Sequence, residues 1–223
     1  MPMVNHEIKK ARALGGIVIE PFREEQLNTV SYDVSLGQWV YRFVHPRRGN
    51  GFAENVDLPL DSSRFRLSKL GGDGLRLAAG ERVLAHTQEF IGGRVYPRTV
   101  RKTAVQPGYG LPYEEVIVKE DFAAVTTEMR ARSSTARWGL EVCSCAGVGD
   151  VGFTGRWTLE LYNKNPFPVR IPVGALIGQV VFHAVAVPEG DTYETAGHYA
   201  AGFEWCPADM LPKPIRSAPV VRG

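Results

Sequence analysis

Two carboxylates stand ten positions apart in Ala146-Gly147-Val148-Gly149-Asp150-Val151-Gly152-Phe153-Thr154-Gly155-Arg156-Trp157-Thr158-Leu159-Glu160-Leu161-Tyr162-Asn163. Just upstream lies Arg132-Ser133-Ser134-Thr135-Ala136-Arg137-Trp138-Gly139-Leu140. Between positions 132 and 160 the chain thus carries Arg132 and Arg137 with two adjacent serines, then Asp150 and Glu160. Cations neutralise phosphate, and small hydroxyls fill hydrogen-bond gaps around it. A carboxylate held apart from the phosphates can move protons. The combination suits a polyphosphate ligand placed beside a group that needs acid/base chemistry. Glu160 is the stronger candidate for the proton carrier, because a carboxylate among Trp157, Leu159 and Leu161 needs a reason to be there. Its structural alternative is a strand carboxylate paired with an arginine.

The elements that must position these groups read as strands. At 223 residues, 44% apolar and 22% charged, the chain fits one globular domain with room for a core. A net charge of +2 calls for no nucleic-acid surface. The start, Met1-Pro2-Met3-Val4-Asn5-His6, lacks the apolar run of a signal peptide, and no stretch reaches the length of a membrane span. The expectation is a cytoplasmic protein with reduced Cys143, Cys145 and Cys206. Cys143-Ser144-Cys145 reads as part of a strand whose two thiols share a face. The zinc deaminase signature of His-x-Glu followed by Pro-Cys-x-x-Cys is absent, so any deamination must proceed without catalytic zinc.

Residues 5–14 read as a short helix capped by Asn5 and stopped by Gly15-Gly16. Beyond it, alternating segments at 31–36, 82–87, 157–162 and 179–186 are punctuated by 24 Gly and 15 Pro, as an antiparallel sandwich or barrel requires. Two regions break the rhythm. The stretch 91–119, with Arg94, Arg98, Arg101 and Lys102, reads as an inserted loop or extended hairpin, either a basic phosphate-binding lid or a solvated insertion. The tail 207–223, with Pro212, Pro214 and Pro219, reads as irregular chain following a single domain over 1–206.

The two motif blocks resemble the dCTP deaminase branch of the trimeric dUTPase superfamily. That pattern is Arg-Ser-Ser-x-x-Arg-x-Gly-Leu, an Asp-x-Gly-aromatic-x-Gly turn, and a strand with a Glu followed by Asn. This chain supplies Arg132, Ser133, Ser134, Arg137, Gly139 and Leu140, then Asp150, Gly152, Phe153 and Gly155, then Glu160 and Asn163. Gly174, Ile177-Gly178-Gln179, Ser31-Tyr32-Asp33-Val34-Ser35-Leu36-Gly37 and His86-Thr87-Gln88-Glu89 extend the match. Its order and spacing across roughly 5–90 and 120–200 carry the signal. The resemblance implies a mainly β, dUTPase-like distorted barrel or jelly-roll-type sandwich, assembled as a homotrimer with sites between subunits. It implies hydrolytic conversion of dCTP to dUTP and ammonia, with magnesium bound through the nucleotide phosphates.

By the same resemblance Glu160 shuttles protons, while Arg137 and Ser133 support the attacking water. The backbone at Ala146 helps hold that water. Arg132 and Ser134 meet phosphate, or Arg132 forms a subunit-interface salt bridge. Asp150 meets the deoxyribose 3′-hydroxyl, or is an Asx-turn residue. Phe153 packs on the sugar and excludes a 2′-hydroxyl. Backbone near Val148 and Gly149 reads the base edge. Gln179 lies near the phosphates, or is a backbone-bonded structural glutamine. Thr135, Ala136, Thr158 and Leu159 complete the expected substrate contacts. At the C-terminal end Tyr193 fits the pattern. His198-Tyr199 stands where Lys-Tyr is expected, and Gly202 where Gln is expected, which weakens the triphosphate contact. Two other functions remain on the same fold. One is a dUTP diphosphatase, alone or combined with the deaminase, in which Asp150 activates water. The other is a non-catalytic nucleotide-binding regulator.

Overall fold

The computed structural model describes residues 1–44, 60–105, 114–197, 199 and 202–213, and for 98–105, 114–121 and 202 the backbone alone. After helix α1 (Asn5–Ala13), strands β1 (Ile17–Glu20), β2 (Ser31–Ser35), β3 (Trp39–Phe43), β4 (Phe65–Lys69) and β5 (Leu75–Leu77) precede the long strands β6 (Arg82–Gly93), β7 (Val95–Val105) and β8 (Glu114–Ala131). Then come α2 (Ser133–Arg137), β9 (Leu140–Glu141), β10 (Val148–Gly149), β11 (Thr154–Asn163), β12 (Val169–Ile171), β13 (Leu176–Val185) and α3 (Tyr193–Ala196). One sheet runs β4-β3-β6-β11-β9, with β1 also on β6; the other runs β10-β8-β13-β2, with β7 also on β8. All these pairings are antiparallel. The molecule is therefore mainly β, as the alternation predicts.

The two sheets share one core. Val83, Ala85, Leu159 and Leu161 come from the first, and Tyr32, Val125, Val180 and Phe182 from the second. Strand alternation does the rest. Along β11 the apolar Trp157, Leu159 and Leu161 are buried, which turns Arg156, Thr158 and Glu160 to the other face. Among the described residues no helix is long and apolar enough to cross a membrane.

Several expectations need correction. Val4, not Asn5, is the N-cap of α1, and its N–H donates to Glu7 at 2.9 Å. Of the two readings of 91–119, the described residues bear out the extended hairpin and not the loose loop: Ile91 to Gly93 close β6 against β1, and β7 pairs antiparallel with β8 from Val95↔Ala124 to Val105↔Glu114. Cys143-Ser144-Cys145 is a turn, with φ of +36° at Ser144 and +66° at Cys145, so its thiols share no strand face. The tail is not wholly irregular: Pro207–Met210 forms a 3-10 turn, and Met210 is buried.

Candidate active site

The outer face of β11 floors a cavity of about 600 Å³. Glu160 and Thr158 rise from the floor, and Ala146, Val148, Gly149 and Asp150 form one wall. Phe153 sits edge-on to Trp157 at 5.0 Å between ring centroids and to Tyr193 at 5.5 Å. That stack shapes the end beside Asp150. The Gly149 carbonyl is already held by the Thr126 hydroxyl at 2.7 Å and the Thr127 hydroxyl at 3.3 Å.

Glu160 is set up for proton chemistry. Burial pushes its carboxyl up to about 7. A hydrogen bond from its own backbone and the charge of Arg82 oppose that rise, and Glu141 adds to it. Its Oε2 is buried and has no hydrogen-bond partner among the described residues. A carboxyl balanced near neutrality can both accept and return a proton. His86 offers no competing base. It is buried, and burial holds its imidazole down at about 4. Its Nε2 accepts from the Trp39 N–H at 3.1 Å, and its Nδ1 lies 2.7 Å from the Thr87 carbonyl.

The expected site residues divide into two groups. Glu160, Ala146, Val148, Gly149, Asp150, Phe153, Thr158 and Tyr193 line the cavity. Arg132, Ser133, Ser134, Thr135, Ala136, Arg137 and Gln179 do not. Ser133, Ala136 and Arg137 are exposed on α2, and Thr135 is buried beneath it with Oγ1 unpartnered among the described residues. Arg132 Nε lies 3.2 Å from Asp33, an ion pair within the chain. Gln179 accepts from Ser31 at 3.0 Å and donates to the Ala131 carbonyl at 3.2 Å, the backbone-bonded arrangement. Leu159 is in the core with its side chain away from the cavity. His198 lies outside the described residues.

Residues outside the expected set also shape the site. Arg82 lines the cavity with its guanidinium carbon 5.3 Å from the Phe43 ring. Arg156 lies 4.6 Å from Phe90 and 5.3 Å from Trp205. The C-terminal segment straps over the same face. Trp205 packs tilted against His86 at 4.5 Å between ring centroids, and Phe203 against Phe90 at 5.0 Å. The Tyr199 N–H donates to the Tyr193 hydroxyl at 3.1 Å, and the Lys213 N–H to the Tyr199 hydroxyl at 3.0 Å. Lys213 thereby joins the cavity wall. Only a signal of tertiary return could have found these residues, and sequence spacing holds none. Among the described residues no three His, Cys, Asp or Glu side chains gather as ligands for a metal.

Comparison with known proteins gives a consistent result. The model of the dCTP deaminase-like family matches residues 3–97 and 113–185. A protein of Methanopyrus kandleri named "dCTP deaminase, dUMP-forming" is 29% identical over 92% of this chain and 94% of its own length. One of the same name from Kocuria rhizophila is 25% identical over 89% and 87%. A solved 2′-deoxycytidine 5′-triphosphate deaminase from Agrobacterium tumefaciens superposes with a TM-score of 0.52 at 16% identity. That superposition covers 83% of this chain and about half, 48%, of the solved chain; at this identity it speaks for the fold alone.

Proposed function

The chain belongs to the dCTP deaminase-like family, and on that premise we propose that it deaminates dCTP by water addition at C4 of the cytosine. The observation that carries this reading is Glu160: a carboxyl balanced near neutrality, with one oxygen unpartnered among the described residues, in a cavity large enough for a nucleoside. Glu160 takes a proton from water as the oxygen bonds to C4 and passes it to N3. It then carries the second water proton to the amino group, which leaves as ammonia, and the carboxylate is restored. Asp150 holds the 3′-hydroxyl, and Phe153, wedged against Trp157 and Tyr193, leaves no space for a 2′-hydroxyl.

The reading includes a homotrimer. In one chain Ser133 and Arg137 lie exposed on α2 and outside the cavity that holds Glu160. A neighbouring subunit's α2 laid over that cavity would bring the water-orienting hydroxyl and cation to the carboxylate, with Arg132 and Ser134 toward the phosphates. Magnesium enters on the triphosphate rather than in a protein cage, and no zinc takes part. The site of action is cytoplasmic.

A second reading, deamination joined to diphosphate release to give dUMP, is favoured by Asp150 and Glu160 lining one cavity. The names of the curated relatives point the same way. Incubation with dCTP, dCMP, dUTP and CTP, following ammonia and pyrophosphate separately, tests both. Ammonia from dCTP and none from CTP is expected. Pyrophosphate in step with ammonia assigns dUMP as the product. No ammonia from any cytosine nucleotide overturns the proposal.

A further inference from the structure

The cavity does not stop at Glu160. Leu84 on β6 is directly opposite Glu160, and Tyr41 on β3 is directly opposite Leu84. Opposite residues of an antiparallel pair share a face, so this row continues the floor sideways. In the next row Arg82 stands opposite Tyr162, and Phe43 stands opposite Phe65 on β4. From β11 to β4 is three strand spacings, about 14 Å. Phe43, Leu60, Phe65 and Leu84 line this extension, and Met210 of the C-terminal strap lines it as well. Phe65, Leu84 and Met210 belong with Tyr41 to a second apolar cluster, separate from the main core. The site therefore has a mainly apolar annex on the side of Glu160 away from the Ala146–Gly149 wall, with the Arg82 guanidinium against Phe43 at its edge.

The orientation of a bound cytosine decides what the annex meets. This step rests on the proposed function. With the sugar at Asp150 and Phe153, and C4 at Glu160, the N3 edge faces the backbone of Val148 and Gly149. The opposite edge, which carries C5, then faces Leu84 and the annex. We infer that the annex receives an apolar substituent at C5, so that 5-alkylated deoxycytidine nucleotides are substrates. Hydrolysis of a 5-methyl substrate follows the same balance: the water oxygen becomes O4, the C4–N bond breaks, ammonia leaves, and a thymidine nucleotide forms.

Ammonia release by the full chain is measured with dCTP, 5-methyl-dCTP and 5-propynyl-dCTP. Burying one methyl is expected to raise kcat/KM about four-fold over dCTP, and the propynyl group should be accepted. Leu84→Phe, which fills the annex, should lower the 5-methyl to dCTP ratio. The ratio for the unmodified protein stands even if this variant fails to fold. Turnover of dCTP with at least ten-fold poorer use of 5-methyl-dCTP overturns the annex and leaves the proposed function intact. Turnover of 5-methyl-dCTP alone supports the annex and moves the physiological substrate. No ammonia from any of the three overturns the proposed function and the annex with it.

Discussion

Replacing Glu160 by Gln separates proton chemistry from folding, because the two should move in opposite directions. A carboxyl raised from 4.5 to about 7 by burial is held against ionisation. At 1.36 kcal/mol per pH unit, and allowing for partial exposure, ionising it in the folded chain costs about 2–3 kcal/mol. The sign follows from proton binding. The folded state holds the proton more tightly than the unfolded state, so stability falls as pH rises from about 4.5 through about 7, and the whole penalty is present above that. Glu160→Gln has no proton to lose. Its stability relative to the parent should grow across the same window and level off near pH 8. For a chain of this size that is about 5–10 °C in Tm, compared at equal protein concentration because assembly also shifts Tm. New hydrogen bonds of the amide would shift all pH values alike, so the pH dependence is the diagnostic. Ammonia release should meanwhile drop ~100- to 10,000-fold, with dCTP still bound. A stability difference that stays flat between pH 4.5 and 8 refutes the desolvated carboxylate. Near-normal turnover refutes the proton carrier.

Four further outcomes are expected. Mixing and reassembling the inactive Glu160→Gln and Arg137→Ala chains should restore about a quarter of the parent activity if sites form between adjacent subunits; no recovery in verified mixed oligomers counts against shared sites. Asp150→Asn should suppress any pyrophosphate release more than ammonia release, and equal losses would leave Asp150 with binding alone. Gly149→Ala places a Cβ 2.3 Å from the Thr127 hydroxyl oxygen and 2.6 Å from the Trp157 ring, so it should destabilise by about 1–3 kcal/mol in denaturant unfolding. Chelating transition metals with magnesium restored should leave the deamination rate unchanged, and a loss rescued only by zinc would contradict the mechanism.

What the sequence hides follows from what spacing can and cannot express. Alternation along β11 made the separation of Glu160 from Leu159 and Leu161 legible, since period two puts neighbours on opposite faces. Gly92-Gly93 opens the stretch read as an inserted loop or extended hairpin, yet both residues lie within strand β6. A Cβ at Gly92 would meet the Phe153 carbonyl at 1.8 Å, and one at Gly93 the Val125 carbonyl at 2.3 Å. Their lack of a side chain serves close backbone approach, within the sheet at Gly92 and between the sheets at Gly93, which a linear pattern cannot distinguish from a bend. The five residues of α2 are too few to show helical periodicity. The strap is hidden for another reason: its prolines argue against regular structure, but Trp205 and Met210 dock through packing on β6 and β3, elements far upstream.

Most consequential is the division of the motif itself. Arg132 to Arg137 and Asp150 to Glu160 are near neighbours in sequence and read as one constellation. In space, α2 follows β8 of one sheet, whereas Glu160 rises from β11 of the other. A single chain thus holds the proposed proton carrier in the cavity and, outside that cavity, the hydroxyl and cation proposed to activate its water. If both halves serve one reaction, the separation requires a second copy. Activity should then rise with assembly, and dilution below the assembly concentration should abolish ammonia release before it unfolds the chain. Undiminished turnover by isolated single chains would show that Glu160 works without α2.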